Sequence, residues 1–179
     1  MDLTLIISGG ILLGCLLALS WFAGSDAPFI PTKISRIKKL LKQVPLKNKT
    51  FYELGSGDGR VVIEAAKIGA IAYGIEQSLL RVLYSRFKAT KNAHFIHGDI
   101  FKQDLSKADV VFIFLLPKGV EKLKPKLKKE LKKGTIIITQ TFHFKDWKPY
   151  KKILIKDKAE PNTSLGPNKL EGDFYLYRI

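Results

Sequence analysis

Two patterns of hydrophobic residues alternate along the chain. Short apolar runs, rich in β-branched and aromatic residues, predict buried strands at 51–54, 70–75, 94–97, 109–116 and 135–141. Longer segments with apolar residues at helical spacing predict helices between them, as at 79–89 and 119–133. A closing pair of strands, at 150–156 and 173–179, is joined by a polar loop at 157–172. The alternation indicates an α/β fold with a mostly parallel, seven-stranded sheet and helices on both faces.

The first apolar segment is longer than the others. No charged residue occurs from position 3 to 23, and about 20 apolar residues are enough for a helix to cross a bilayer. We therefore predict a transmembrane anchor within residues 1–24 and a single-pass membrane localisation. A cleaved signal peptide is the alternative, but signal peptides carry positive charge at their start, where this chain has Asp2. The basic residues after the segment predict that the rest of the chain is cytoplasmic; they are Lys33, Arg36, Lys38, Lys39 and Lys42.

A connector and one domain follow the predicted anchor. Residues 25–32 are punctuated by proline, and the residue before each proline avoids helix, so this connector should be stiff and extended. Residues 33–179 then form a single predicted domain. Its first segment, 33–44, is a basic amphipathic helix. This helix either packs on the sheet or covers the binding site as a lid, and the two roles are compatible.

A glycine-rich turn follows the first predicted strand of this domain. Gly55, Gly57 and Gly59 alternate with Ser56 and Asp58, and a helix is predicted to begin after them. Glycines at such positions bring bare backbone against a ligand, although any tight junction between strand and helix is also consistent with the pattern. We predict that a small cofactor lies across this turn.

The residues around the turn indicate which cofactor it binds. A dinucleotide fingerprint, G-x-G-x-x-G, would require glycine where the chain has Arg60. The carboxylates of Glu53 and Asp58 would also repel a pyrophosphate at the helix N-terminus. A cofactor with cationic centres fits them better, and S-adenosylmethionine carries a sulfonium and an ammonium group. The pattern E-x-G-x-G-x-G resembles the first motif of the Rossmann-like methyltransferases.

Further candidate cofactor residues lie at the ends of the next two predicted strands. Glu76 ends the second strand about 20 positions after Gly57, where an acid reaches ribose hydroxyls in such folds. Asp99 follows the third strand and is predicted to accept from an adenine amino group, while Ile100 covers a face of the ring. Alternatively, Asp99 only caps the turn before Phe101.

The binding site for the methyl acceptor is predicted at the end of the fourth strand. Leu116 and Pro117 close that strand, and we assign them with Thr32 and Phe142 to the substrate side. The aromatic residues from Phe142 to Trp147 either line the opening through which the substrate enters or belong to the core. Pro125 is predicted to start the regular part of the helix at 119–133. No Asn-Pro-Pro-aromatic motif is present, which disfavours planar amide or adenine nitrogens as acceptors.

Composition limits the remaining possibilities. At 179 residues the chain is long enough for one domain with a core, and its net charge of +15 favours anionic partners such as nucleic acid or lipid headgroups. The lysines of 118–133 form either a solvated face or a phosphate-binding patch. The single Cys15 excludes a disulfide within the chain, and His94 and His97 point to opposite faces of a strand, so we predict no metal site.

The motifs together resemble one family. The sequences Ala-Pro-Phe-Ile-Pro-Thr, Glu-Leu-Gly-Ser-Gly-Asp-Gly-Arg, Tyr-Gly-Ile-Glu and Leu-Leu-Pro, behind one apolar span, are similar to the small membrane-anchored protein-lysine methyltransferases. Mitochondrial members modify the ADP/ATP carrier and the c-subunit of ATP synthase. The resemblance implies a Rossmann-like methyltransferase fold and a protein substrate, which could itself be a membrane protein. It also implies that Glu53, Gly55, Gly57 and Glu76 bind the cofactor and that 28–32 is the pre-domain motif.

The resemblance leaves alternatives open. Protein-lysine methylation at the membrane is the favoured function. A methyltransferase of RNA or of lipid is the second hypothesis, and a non-catalytic basic membrane tether for nucleic acid or anionic lipid is the third. Methyl transfer requires alignment and exclusion of water more than a dedicated base, so the sequence assigns no catalytic residue.

Overall fold

The structure, a computed structural model, describes residues 2–22, 30–155 and 172–179. Its elements, in chain order, are five helices and seven strands within these ranges. They are α1 (Leu3–Phe22), α2 (Ile34–Leu41), β1 (Thr50–Leu54), α3 (Arg60–Lys67), β2 (Ile71–Glu76), α4 (Leu79–Phe87), β3 (Ala93–His97), β4 (Val110–Ile113), α5 (Pro117–Glu130), β5 (Ile136–Gln140), β6 (Lys151–Ile153) and β7 (Phe174–Arg178).

The seven strands form one sheet in the order β3-β2-β1-β4-β5-β7-β6. The first five strands are parallel, whereas β7 runs antiparallel between β5 and β6. The central strand β4 is apolar throughout, as expected for a strand that is covered on both faces of the sheet. Residues of α2, α3 and α4 pack in the core on one face, and α5 packs in the core on the other. The predicted sheet, with helices on both faces, is therefore present.

The prediction for the N-terminal segment is wrong. Crossing the hydrocarbon core takes about 20 consecutive, predominantly apolar residues in one helix. Within the described part of the chain, no helix combines the necessary length and hydropathy. This finding corrects four predictions. They are the transmembrane helix in the predicted fold, the anchor assigned to residues 1–24, the membrane contact through that anchor, and the single-pass localisation with a cytoplasmic domain.

Two other expectations change. Helix α5 begins at Pro117 and contains Pro125 in its interior, so Pro125 does not start it. Proline suits the first turn because its missing N–H would have no partner there, and Pro117 already fills that position. The fourth strand is also shorter than predicted and ends at Ile113. Most of the connector at 25–32 and nearly all of the loop at 157–172 lie outside the described residues.

Helix α2 is fastened to the last two strands by Arg36. The Arg36 Nη1 donates to the carbonyl of Ile155, just after β6, and Nη2 donates to the carbonyl of Gly172, just before β7, at 2.7 Å. The guanidinium also lies 5.5 Å from the ring centroid of Phe174. One buried side chain thus binds the chain on both sides of residues 156–171, at Ile155 and at Gly172.

Candidate active site

Two adjoining cavities lie at the carboxyl ends of β1, β2 and β4. The Glu53 cavity, of ≈ 110 Å³, is lined by both charged and aromatic residues, including Glu53, Asp58, Arg60, Phe112 and Phe142. The Asp99 cavity, of ≈ 460 Å³, is lined by residues that include Asp99, Ile100 and Lys122. The two cavities share Gly55, Glu76, Leu115 and Leu116. Ligands of open α/β sheets bind at this edge, outside the carboxyl ends of the strands.

The glycine turn forms the floor where the cavities meet. Gly55, Gly57 and Gly59 have φ values of 84°, 53° and 77°, in the left-handed region that glycine adopts without strain. The Gly55 and Ser56 amides both donate to the carbonyl of Ile75 at 2.9 Å, which ties the turn to the end of β2. The predicted turn is therefore present, with Gly55, Ser56 and Gly57 at the cavity wall.

Gly59 has a packing role behind the turn. A Cβ built there would lie 2.6 Å from the ring of Phe95 and 2.9 Å from the Ser85 hydroxyl. We expect Gly59→Ala to lower the free energy of unfolding by about 3 kcal/mol, because it adds a steric overlap to an unfavourable φ. Denaturant unfolding measures the change.

Gly134 provides the matched control for this substitution. Its φ is 91°, but a Cβ there would meet no atom within 4 Å. Gly134→Ala should therefore cost only the backbone term, about 1 kcal/mol. Equal losses in the two variants would contradict the packing role of Gly59.

Glu76 connects the turn to the helix that follows β2. Its side chain is buried, and Oε2 accepts from the Gly57 amide at 2.9 Å while Oε1 accepts from the Ser78 amide at 2.8 Å. Arg81 of α4 donates to Oε1 at 3.4 Å and is buried as well. Each carboxylate oxygen has two lone pairs, so the two donors saturate Oε1, whereas Oε2 retains one acceptor site.

Glu53 is a buried carboxyl group with an unsatisfied oxygen. It is 5% exposed, and its Oε2 has no hydrogen-bond partner. Burial raises the pKa of Glu53 well above its ordinary value, and the nearby Asp58 carboxylate raises it further. Buried carboxyl oxygens are normally paired, so this oxygen, at the wall of a cavity, fits a cationic ligand group.

Asp58 faces an internal partner. Arg60 donates to the Asp58 carboxylate through Nε at 2.9 Å and through Nη2 at 2.6 Å. Burial raises the pKa of Asp58, but the hydrogen bonds from Arg60 outweigh it and leave that pKa below its ordinary value. Of the two carboxylates predicted around the turn, Asp58 is the one that forms a salt bridge with Arg60, while one oxygen of Glu53 stays unpaired among the described residues.

The Asp99 side chain caps a turn and also reaches a cavity. Its Oδ1 accepts from the Phe101 amide at 2.8 Å, as in the alternative interpretation of this residue. Asp99 and the half-buried Ile100 both line the Asp99 cavity. Their contact with an adenine ring remains a prediction.

The predicted substrate-side residues converge on the Glu53 cavity, with one exception. Thr32, Leu116 and Phe142 line it, whereas Pro117 is the first residue of α5. Phe144 is fully buried and packs on Trp147 and Tyr177, with ring centroids 4.5 Å and 5.1 Å away. Phe144 and Trp147 therefore take part in a core contact, the second of the two roles left open.

Sequence reasoning missed two arginines and one aromatic residue. Arg60 entered it as a mismatch to a dinucleotide motif and as the last residue of a family motif, without an assigned role, and Arg81 was not singled out. The carboxylates at 58 and 76 could have indicated them, because a buried acid calls for a buried base. Phe114, which lines the Glu53 cavity, lay inside the predicted fourth strand.

Comparison with known proteins identifies the family. Residues 53–151, which contain the glycine turn, Glu53 and Glu76, match the ANTKMT methyltransferase domain. The chain belongs to this methyltransferase family. It is 36% identical over 138 residues to a protein-lysine N-methyltransferase of Saccharolobus islandicus, covering 73% of this chain and 86% of the relative.

Two further relatives extend the comparison. The human lysine N-methyltransferase of the ATP synthase c-subunit is 35% identical over 127 residues, which cover 68% of this chain. The match covers 54% of the human protein, about half its length. Among solved structures, an RNA methyltransferase from Salinibacter ruber in complex with S-adenosyl-L-homocysteine superposes with a TM-score of 0.71 at 31% identity, covering 84% of this chain and 94% of that one.

The predicted enzyme class and cofactor are confirmed by these matches. This chain is an S-adenosylmethionine-dependent methyltransferase, and the predicted protein-lysine N-methyltransferase function agrees with the names of its curated relatives. The cavities fit the cofactor, since they offer an unpaired carboxyl oxygen beside exposed glycine backbone. Among the residues that the structure describes, no group of His, Cys, Asp or Glu side chains could hold a metal ion.

Proposed function

We propose that this chain, through a catalytic domain at 33–179, methylates the ε-amino group of a lysine in a protein substrate. The observation that carries the proposal is the buried Glu53 carboxyl, whose free oxygen lies at the wall of a cavity beside the glycine turn. Membership of a family whose curated relatives are named for lysine methylation supports the acceptor. The c-subunit of ATP synthase is the acceptor named for one of these relatives and is a candidate here.

Residues of the two cavities would bind different parts of the cofactor. S-adenosylmethionine supplies the methyl group from a sulfonium, which leaves as a neutral thioether. Glu53 would pair with its ammonium group, and Glu76 would accept from its ribose hydroxyls. Asp99 and Ile100 would hold the adenine end in the larger cavity. The glycines at 55 and 57 let backbone approach where a Cβ would intrude.

The remaining walls of the Glu53 cavity suit an aliphatic acceptor. Ile30, Phe112, Phe114, Leu115 and Phe142 supply apolar surface there. A lysine ammonium has an ordinary pKa of about 10.4 and must lose its proton before it attacks. Burial in an apolar channel disfavours the charged form and so lowers that pKa. These walls also exclude water from the reacting groups.

Transfer of label tests the proposal. We expect the purified chain, incubated with methyl-labelled S-adenosylmethionine and total protein from its own cells, to label a protein. Acid hydrolysis of that protein should release labelled methyllysine. The label should persist after nuclease treatment and vanish after protease treatment. Glu53→Gln serves as the inactive control and Glu64→Gln as the control for folding, because Glu64 is a buried glutamate paired with Lys67.

A second candidate is methylation of RNA. The structural relative at 31% identity is titled an RNA methyltransferase, and the net charge of +15 suits a phosphate backbone. Total RNA is therefore offered as acceptor in a parallel reaction. Label that is lost on nuclease treatment and absent from methyllysine would contradict the proposal and favour this candidate.

A further inference from the structure

We propose that Arg60 is a positioning residue, which fastens residues 30–32 in place as the wall of the cavity that receives the acceptor. The inference rests on the proposed function and adds to it a residue outside the cofactor contacts. It implies that Arg60 acts on the acceptor through the segment at 30–32. Cofactor binding should depend much less on this residue.

The contacts of Arg60 run in two directions. Through Nε and Nη2 its guanidinium binds both oxygens of Asp58, in the glycine turn. Through Nη1 it donates to the carbonyl of Thr32 at 3.1 Å. The side chain is only 26% exposed and lines the Glu53 cavity. Arg60 therefore joins the first turn of α3 to a segment 28 positions earlier.

Thr32 is held from a second side by β5. Its hydroxyl donates to Oε1 of Gln140 at 2.8 Å, and both residues are buried. Ile30, Pro31 and Thr32 all line the Glu53 cavity, close to the end of β5. The segment is thus fixed at one residue by a backbone and a side-chain hydrogen bond, from two different elements.

Only arginine can make this set of bonds. Three nitrogens of one planar guanidinium are used at once, two toward a carboxylate and one toward a carbonyl. A lysine ammonium at this position keeps the charge but lacks the fork that reaches both partners. Arg60→Lys therefore separates charge from geometry.

The two walls of the Glu53 cavity belong to different parts of the chain. Glu53 and Glu76 lie on β1 and β2 and are anchored by the sheet, independently of residues 30–32. Loosening the segment should leave the cofactor contacts and displace the acceptor. A misplacement of about 1 Å lowers rates by up to about 100-fold.

Kinetics and amide exchange test the inference on the full chain. We expect Arg60→Lys to lower kcat/KM for the protein acceptor about 10-fold or more, with the dissociation constant of S-adenosylmethionine changed less than about 3-fold. Hydrogen exchange should become faster in peptides covering 30–36. The control is Arg86→Lys, because Arg86 binds the carbonyl of Phe95 through two nitrogens and is not among the residues that line the two cavities. It should change neither readout.

A double-mutant cycle with Thr32→Val locates the effect. If both residues hold the same segment, the double variant should lose less than the product of the single losses. Asp58→Asn tests the other partner of Arg60. If Arg60→Lys matches Asp58→Asn and leaves exchange at 30–36 unchanged, Arg60 acts through the glycine turn and the inference is wrong. A wild-type chain that binds cofactor but labels no protein would contradict the proposed function, whereas the exchange data would still decide the role of Arg60.

Discussion

Glu53→Gln is expected to raise the dissociation constant of S-adenosylmethionine about 100-fold, equivalent to about 3 kcal/mol. The free Oε2 of Glu53 is the acceptor that we assign to the ammonium group, and an amide there is neutral. The same change should stabilise the unliganded protein at neutral pH, because it removes a buried ionisable group, one oxygen of which has no hydrogen-bond partner. We expect Tm to rise by about 3 °C. Calorimetric titration and thermal unfolding measure the two effects.

The pH dependence of both effects follows from the raised pKa of Glu53. In the unliganded protein, a raised carboxyl pKa contributes stability that is complete below the unfolded value of about 4.3 and is lost as pH rises through the folded value. Cofactor affinity has the opposite trend and falls as pH falls through that value, since binding needs the carboxylate. Titration in buffers of different ionisation enthalpy should detect proton release. Glu64→Gln, at a buried and paired glutamate, is the matched control. Unchanged affinity in Glu53→Gln would contradict the assignment.

Glu76→Ala is expected to abolish measurable cofactor binding and to lower the free energy of unfolding by about 3 kcal/mol. The carboxylate holds the Gly57 amide in the turn, the Ser78 amide before α4 and the buried Arg81. Its removal therefore deprives the ribose of its acceptor and leaves a buried guanidinium without this partner. Calorimetric titration and denaturant unfolding measure the two losses.

The double variant Glu76→Ala/Arg81→Met separates the two roles of Glu76. Removing the guanidinium together with the carboxylate should restore most of the stability, since a buried pair costs less to replace than to break. Binding should stay lost. Recovery of binding along with stability would show that Glu76 supports the turn without contacting the cofactor.

Much of the site was predictable because its signals are local. Three glycines and the strand before them predict the turn. The distance of Glu76 from Gly57 along the chain predicts the second acidic residue. The strands of the sheet were found from continuous apolar runs, which are short and bounded by turn residues. These features depend on neighbouring residues, so an unaligned sequence reveals them.

Other features depend on residues that are distant in sequence. The hydroxyl of Thr32 meets Gln140 across 108 positions, and no pattern in either segment indicates that contact. The pairing of Arg60 with Asp58 is local, but its third bond, to Thr32, is not. Likewise, alternation of strands and helices does not predict that β7 inserts between β5 and β6. The prediction at the N-terminus failed although it used the length of an uncharged run and the basic residues after it, because within the described residues no helix combines the length and hydropathy that a span needs.

The clamp at Arg36 has a practical consequence. Because one side chain binds the carbonyls of Ile155 and Gly172, it supports the paired ends of β6 and β7 in addition to the pairing of the strands themselves. An affinity tag or a fluorescent reporter inserted between those two residues would therefore leave the pairing of β6 with β7 intact. Such an insertion would attach the enzyme to a surface or a dye at a point separate from both chain termini.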